Sequence, residues 1–364
     1  MIITVLFYTF VAFTGVQLIY YVLFSSVLWK QKKANNSSTP PISVIIFAKN
    51  CASYLEKNIT SFLNQKYPNF EILLVNNASF DETDDVIEQL KEKHPQLKIV
   101  DVENNEAFWG NKKYATTLAI KAAKYEHLLF TEANCVPKSE FWIAEMSKLF
   151  SEEKTIVLGY KKLILGNNFT SYLIRFQHVL LTIQGFFAAK SLTPFMAFGE
   201  NYGFTKTDFF RVKGFVNHIK IRDGKDDLFV RDAAQKNNAS YQLSSESFIQ
   251  CETNYTFKNW FLEQRKKNVL KKQYKLKHRF FLNFFMFTKV GFYALATYLF
   301  FVYSYQILLP IVLFYLLFKA IVMGLATKKL GEISVFFLSP VLDILLIFIQ
   351  ISIFIANLIS KPNH

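Results

Sequence analysis

Apolar residues follow two arrangements along this chain. At both ends they form long runs, and in the middle they come in short blocks separated by stretches of helical spacing. Ile2 to Leu28 carries no charge. At about 1.5 Å per residue it can cross a hydrocarbon core of roughly 30 Å. Trp29, Lys30, Lys32 and Lys33 follow at once. A short basic leader and a small-x-small cleavage site are missing, so the run predicts an uncleaved signal anchor. Near the other end, spans are predicted at Phe284–Tyr305, Ile307–Thr327 and Ile333–Ile359, carrying Lys289, Lys319, Pro340 and Asp343. Arg279–Thr288 also suits an interfacial amphipathic helix. The lysines after the first run and Lys328–Lys329 between the last two predict four spans with both termini outside and the middle in the cytoplasm.

The middle alternates strand and helix. After a linker by composition, Asn35–Pro41, the pattern predicts strands at Ile42–Phe47, Phe70–Val75, Leu97–Val102 and His127–Phe130. Helices are predicted at Ser53–Gln65, Asp81–Lys93 and Asn111–Lys124. Such alternation with short connections predicts a doubly wound α/β sheet. Ligands on these sheets sit beyond the C-terminal strand ends. Those ends carry Lys49-Asn50, Asn76-Asn77 and Glu132-Ala133-Asn134-Cys135. The expected organisation is a membrane anchor at 1–29, a linker at 30–41, a cytoplasmic α/β domain at 42–280 and a membrane region at 281–364.

Composition sharpens this picture. Of 364 residues, 51% are hydrophobic, which with the terminal runs excludes a purely soluble, disordered or disulfide-rich secreted protein. Cys51, Cys135 and Cys251 are too few and too scattered to suggest a disulfide framework or a zinc site, which suits a reducing compartment. The net charge is +14. More than half of that surplus lies between Lys258 and Arg279, with nine Lys and Arg against one Glu. Next to a span, this stretch points to anionic lipid or phosphorylated ligands rather than nucleic acid. G-x-G-x-x-G does not follow the first strand and no P-loop motif occurs, so a dinucleotide dehydrogenase and a P-loop NTPase lose support. His178 and His218 lack ligand spacing and are read as structural. A transporter fits poorly, since polar groups within the spans are sparse.

An ordered series of motifs fits this frame. It comprises Ser43–Ile46 with Lys49-Asn50, Gln65-Lys66-Tyr67-Pro68 with Glu71-Ile72, Val75–Thr83, Asn111–Ala115, Thr131–Pro137, Gly199–Lys206 with Gly214-Phe215, Gly224–Val230, and Trp260 with Gln264–Lys267. Taken in order, the span from Ile42 to about Tyr274 resembles the inverting family-2 glycosyltransferases with a GT-A, Rossmann-like nucleotide-binding fold. The likeness is to the membrane-anchored bacterial kind, with one N-terminal and about three C-terminal transmembrane helices. It implies a nucleotide-sugar donor and a cell-envelope glycan or lipid-linked acceptor at the inner membrane. Membrane lipids and envelope-biosynthesis proteins are implied partners.

The resemblance also implies site residues. Asp226 is the base that deprotonates the acceptor, with Asp227 as fallback. Lys49, Asn76, Asn77, Asp81, Lys112, Glu132 and Asn134 line the nucleotide sugar. Gln264, Arg265 and Lys267 reach the diphosphate, and Asn201 and Trp260 lie on the acceptor side. The family's D-x-D motif, which binds Mg²⁺ or Mn²⁺, stands here as Glu132-Ala133-Asn134, which keeps one charge and weakens metal binding. Lys225 replaces an acidic residue before the base. Bland readings stay open: a plain turn for Asn76–Ser79, and a solvated first helical turn for Asp226-Asp227. The losses of negative charge fit a metal-poor enzyme whose basic residues do the metal's work. They also fit an impaired site on an intact fold, acting as a partner in a polysaccharide-synthesis complex.

Overall fold

The structure is a computed structural model and describes residues 1–29, 39–103, 112–221 and 223–362. Most of the predicted linker, Asn111 and Lys30 to Lys33 lie outside the described residues. In chain order the elements are α1 (Ile2–Ser25), β1 (Ile42–Ala48), α2 (Ala52–Leu63), β2 (Phe70–Asn77), α3 (Thr83–Lys93), β3 (Lys98–Val102), α4 (Lys112–Ala122) and β4 (His127–Glu132). There follow β5 (Cys135–Pro137), α5 (Trp142–Ser147), β6 (Ile156–Leu158), β7 (Lys161–Ile164), α6 (Phe169–Ser191), β8 (Tyr202–Thr205), α7 (Lys206–Arg211) and α8 (Lys225–Ala233). The chain continues through β9 (Ala239–Tyr241), β10 (Ile249–Glu252), α9 (Phe257–Leu270), α10 (Leu276–Val302), α11 (Tyr305–Leu330) and α12 (Ser339–Ile359).

Two compact units result. The α/β unit takes Lys32–Gly166 and Ala188–Tyr255. Its main sheet runs β3-β2-β1-β4-β8-β6-β9, and a smaller one runs β5-β10-β7. Strands β3, β2, β1 and β4 are parallel, while β8 is antiparallel to both β4 and β6. Every residue of β1 is buried, as expected for a parallel strand flanked by strands on both edges and helices on both faces. The predicted doubly wound sheet is thus present and continues into a mixed half. Register puts Ala48 opposite Asn76 and Phe47 opposite Glu132, which aligns the polar tips of β1, β2 and β4 at one sheet edge.

Local bonds hold those tips. Ala133 donates its N–H to the Phe47 carbonyl at 2.9 Å, and Asn58 of α2 donates Nδ2 to the Ala133 carbonyl at 2.9 Å. The Gln65-Lys66-Tyr67-Pro68 segment is a clamp: Gln65 donates to the Ser139 carbonyl at 2.9 Å and accepts the Ile143 N–H at 3.1 Å. Cys135 and Cys251 face each other on β5 and β10 and are joined as a disulfide. The expectation of a reducing compartment, drawn from three scattered cysteines, did not anticipate this pair, because strand register across a sequence separation of 116, not spacing, brings the two together. Cys51 is free.

The helical unit takes Met1–Gln31, Asn167–Phe187 and Thr256–Asn363. Among the described residues, α1, α10, α11 and α12 are long and apolar enough to cross a membrane. Helix α10 starts at Leu276 and runs unbroken through Arg279–Thr288, so no separate interfacial helix forms there. Helix α1 packs on α10, where Gln17 donates to the Phe285 carbonyl at 2.8 Å and to Thr288 at 2.7 Å, and Tyr20 donates to the Phe281 carbonyl at 2.9 Å. One ion cluster ties three spans together. Lys289 of α10 and Lys319 of α11 both pair with the fully buried Asp343 of α12, and Tyr293 donates to that carboxylate at 3.2 Å. Distributed among three helices, these charges compensate one another only when the helices are packed.

Candidate active site

The polar strand ends are where the sequence directs attention, and their residues divide into two groups. The first organises the backbone. Asn76, at the end of β2, donates Nδ2 to Asp84 and accepts from the Ser79 hydroxyl at 2.9 Å, which builds the turn at Asn76–Ser79. Asp81 accepts the Thr83 N–H at 3.1 Å and the Ala52 N–H at 3.5 Å, joining the starts of α3 and α2. Burial, the largest single influence, works against its charge, and the bonds from Thr83 and Ala52 together outweigh it to lower the pKa. Asn201 is fully buried: it accepts from Trp142 Nε1 at 3.0 Å and donates to the Tyr160 and Ser247 carbonyls at 2.8 and 2.9 Å. Both of its N–H donors and its carbonyl oxygen are thus engaged by the framework. Asn77 is buried and makes no side-chain hydrogen bond among the described residues, and Lys49 is exposed.

The second group is a charged cluster beyond β1 and β4. Lys112, the first residue of α4, pairs with Glu132 at the end of β4. Partial burial opposes the Lys112 charge, yet Glu132, with Asp226 and Glu200 beyond it, raises the pKa above the usual lysine range. Asn134 donates Nδ2 to the Glu252 carbonyl at 3.1 Å. Lys225 and Asp226 open α8 behind Gly224, whose φ of 73° is left-handed and suits glycine. Asp226 Oδ1 accepts the Tyr202 hydroxyl at 2.5 Å and lies 2.8 Å from Lys225 Nζ. Burial pushes the Lys225 pKa down, against the pull of Asp226. Asp226 Oδ2 faces Gly199, where an added Cβ would lie only 2.3 Å away. Asp227 instead accepts the Ala197 N–H at 3.1 Å. Glu200 pairs with Lys161 at 2.8 Å, which holds its pKa below the usual range despite burial.

Lys112, Glu132 and Asp226 are therefore brought into one cluster. Lys225, Tyr202, Gly199 and the Glu200–Lys161 pair join them; the motif series placed Gly199, Glu200 and Tyr202 only within an acceptor-side segment and Lys225 as a neighbour of the base, and it gave Lys161 no role. One signal was available: a lysine at the first position of a helix opposes the helix dipole.

The remaining predicted residues belong to the helical unit. Trp260 is buried and donates Nε1 to Gln177 at 3.1 Å, and Gln264 accepts from Gln177 at 2.9 Å. Arg265 donates to Asn357 at 2.9 Å and to the Ser360 carbonyl at 2.6 Å. Lys267 is exposed.

Known proteins resemble parts of this sequence, and a solved structure resembles its fold. Over 137 residues the chain is 28% identical to the poly-beta-1,6-N-acetyl-D-glucosamine synthase of Staphylococcus epidermidis, covering 33% of this chain and 32% of that one. Over 131 residues it is 26% identical to the Escherichia coli UDP-Glc:alpha-D-GlcNAc-diphosphoundecaprenol beta-1,3-glucosyltransferase WfaP, covering 35% of this chain and 48% of the relative. The chain thus spans a third to a half of the length of these curated relatives. The fold is similar to that of the mannosyltransferase PcManGT from Pyrobaculum calidifontis, solved with GDP-Man and Mn²⁺, with a TM-score of 0.61 at 17% identity. That likeness covers 94% of this chain and 98% of PcManGT. The motif series resembled family 2, and the family model that matches is family 21 of the same enzyme class. It matches residues 9–362, so the chain belongs to glycosyl transferase family 21.

Proposed function

We propose that this protein is a glycosyltransferase of the cytoplasmic membrane that moves a sugar from a nucleoside-diphosphate donor to a cell-envelope glycan or lipid-linked acceptor, with inversion. The relatives' names, which describe a polysaccharide synthase and an enzyme acting on a diphosphoundecaprenol-linked sugar, support this class of acceptor. Lys328 and Lys329 at the end of α11 support a cytoplasmic α/β unit. The basic face of α9 and the segment after it suit anionic lipid.

One observation carries the reading. Asp226 stands at the tips of the parallel strands with Oδ1 fixed by Tyr202 and Lys225, while Oδ2 makes no hydrogen bond among the described residues. A carboxylate held this way can take a proton in a defined direction. As the acceptor oxygen bonds to the anomeric carbon, Asp226 Oδ2 receives its proton. The bond from that carbon to the diphosphate breaks, and the nucleoside diphosphate leaves with the electron pair. Positive side chains facing that group stabilise its growing charge.

Mg²⁺ or Mn²⁺, which the fold family implies, does not fit the residues present. The Glu132 carboxylate is paired with Lys112, and Asn134, whose Nδ2 donates to the Glu252 carbonyl, offers only a neutral oxygen. Among the described residues no three His, Cys, Asp or Glu side chains are grouped to hold a metal. The commitment of Asn76 and Asn134 to framework bonds favours a second reading, an impaired subunit that assists an active partner. Membranes containing this chain as their sole glycosyltransferase, given labelled UDP- and GDP-sugars, separate the two. The enzyme reading expects label in the lipid or polymer fraction, and a subunit leaves it in the donor.

A further inference from the structure

Two lysines in the α/β unit, each paired with a carboxylate, converge on one aromatic ring. Lys112 Nζ lies 5.3 Å and Lys225 Nζ 4.8 Å from the centroid of the Phe47 ring, at the C-terminal end of β1. Lys225 Nζ is also 5.8 Å from the Phe130 ring. Two like charges beside one ring repel each other. Lys225 is only 6% exposed and stands at the start of α8, where the helix dipole disfavours a cation. Its one close anionic contact among the described residues is the ion pair with Asp226 at 2.8 Å, and among those residues Nζ meets no partner in hydrogen-bond geometry. A buried ammonium with unspent donors is costly unless a ligand supplies acceptors.

On the glycosyltransferase reading, an acceptor-rich group belongs at these strand ends. We propose that Lys112 and Lys225 together hold the donor's diphosphate in the role of a divalent cation, so that nucleotide binding and departure need no metal. Two ammonium groups deliver the same two positive charges as one divalent ion. Lys225 offers its donors from a helix N-terminus, whose own N–H groups also favour an anion. Cation–π contact with Phe47 steadies both ammonium groups while the site awaits its ligand. Glu132, which in a metal site would be a ligand, instead positions Lys112. After the sugar leaves, the product diphosphate is held by charge-assisted hydrogen bonds that exchange without metal release.

The test is calorimetric binding of UDP, GDP, ADP, CDP and dTDP to the full chain in lipid nanodiscs, in EDTA and then in Mn²⁺. The proposal expects one or more of these to bind in EDTA, with a dissociation constant that Mn²⁺ changes by less than about twofold. Loss of the charge-assisted bonds in Lys225→Gln should weaken that binding by about tenfold or more, and Lys225→Arg should retain most of it. Lys112→Gln, at a part-exposed position, gives the same readout if Lys225→Gln does not fold, as judged by its thermal melt. Binding that is lost in EDTA and restored by Mn²⁺ overturns the lysine assignment and leaves the glycosyltransferase reading standing. So does undiminished binding by folded Lys225→Gln and Lys112→Gln. A folded wild-type chain that binds none of the five in either buffer overturns both.

Discussion

Replacing Gly199 by alanine is a steric test of where Asp226 must stand. The new methyl would sit 2.3 Å from Asp226 Oδ2 and 3.0 Å from its Cγ, whereas ordinary contact begins near 3.4 Å. The pair must therefore open by about 1 Å, a misplacement that typically costs about 10²-fold in rate. The carboxylate cannot yield without loss, because Tyr202 at 2.5 Å and Lys225 at 2.8 Å hold its other oxygen. Overpacking of this kind costs about 1–3 kcal/mol of stability, so the variant should fold with a lowered melting temperature. Transfer of labelled sugar and nucleotide binding should be measured on the same preparation. The rate should fall by about 10²-fold, equal to about 2.7 kcal/mol of transition-state stabilisation, while nucleotide affinity changes little. Gly15→Ala is the control, since a Cβ there meets nothing within 4 Å. Full transfer activity in a folded Gly199→Ala protein would refute the placement of Asp226 as base.

Other consequences are testable with the same material. Asp227→Asn should cost less transfer than Asp226→Asn and show mainly as lost stability, because Asp227 accepts the Ala197 N–H; paired melts and rates decide this. Asp343→Asn should destabilise the helical unit by about 3–5 kcal/mol, since it leaves the charges of Lys289 and Lys319 buried without their anion. Unfolding in nanodiscs measures that loss, and adding Lys289→Met should recover part of it. The Glu200–Lys161 pair sets an acid limb. A carboxyl whose folded pKa is lowered adds stability that is complete above its ordinary pKa and is lost as pH falls toward the folded value. Glu200→Gln should flatten the stability curve in that acidic window and lower stability near neutrality, where the charged pair's contribution is complete.

What could be read in the sequence depended on the length of each signal. The four apolar runs and the strands β1, β2 and β4 are long enough for composition and period to define them, and the structure has all of them, although α10 begins at Leu276 rather than Phe284 and α12 at Ser339 rather than Ile333. Strands β5, β6, β7, β8, β9 and β10 have three or four residues each, too short for any periodicity. Their pairing depends on contacts far along the chain, as with Cys135 and Cys251. Helix α6 was missed because Arg175, Gln177, His178 and Gln184 interrupt its apolar positions. Motif likeness located the charged cluster but could not tell framework from chemistry. Asn201 shows this, since its amide is fixed by partners that only the fold supplies, whereas the Asn76–Ser79 bond is the local turn the sequence allowed. Lys225 shows the converse: it reads as a neighbour of the base, and its buried, unspent ammonium is visible only in three dimensions.

The central claim is that Asp226 is the base of an active transferase, and one substitution tests it most directly. Asp226→Asn keeps the side-chain size but removes the proton acceptor. Membranes carrying wild-type or variant chain as their sole glycosyltransferase should be assayed for transfer of labelled sugar, with nucleotide binding measured on the purified proteins. The account predicts intact binding and a loss of transfer of about 10²–10⁴-fold, the contribution of general-base catalysis. Wild-type rates from a folded Asp226→Asn protein would contradict it.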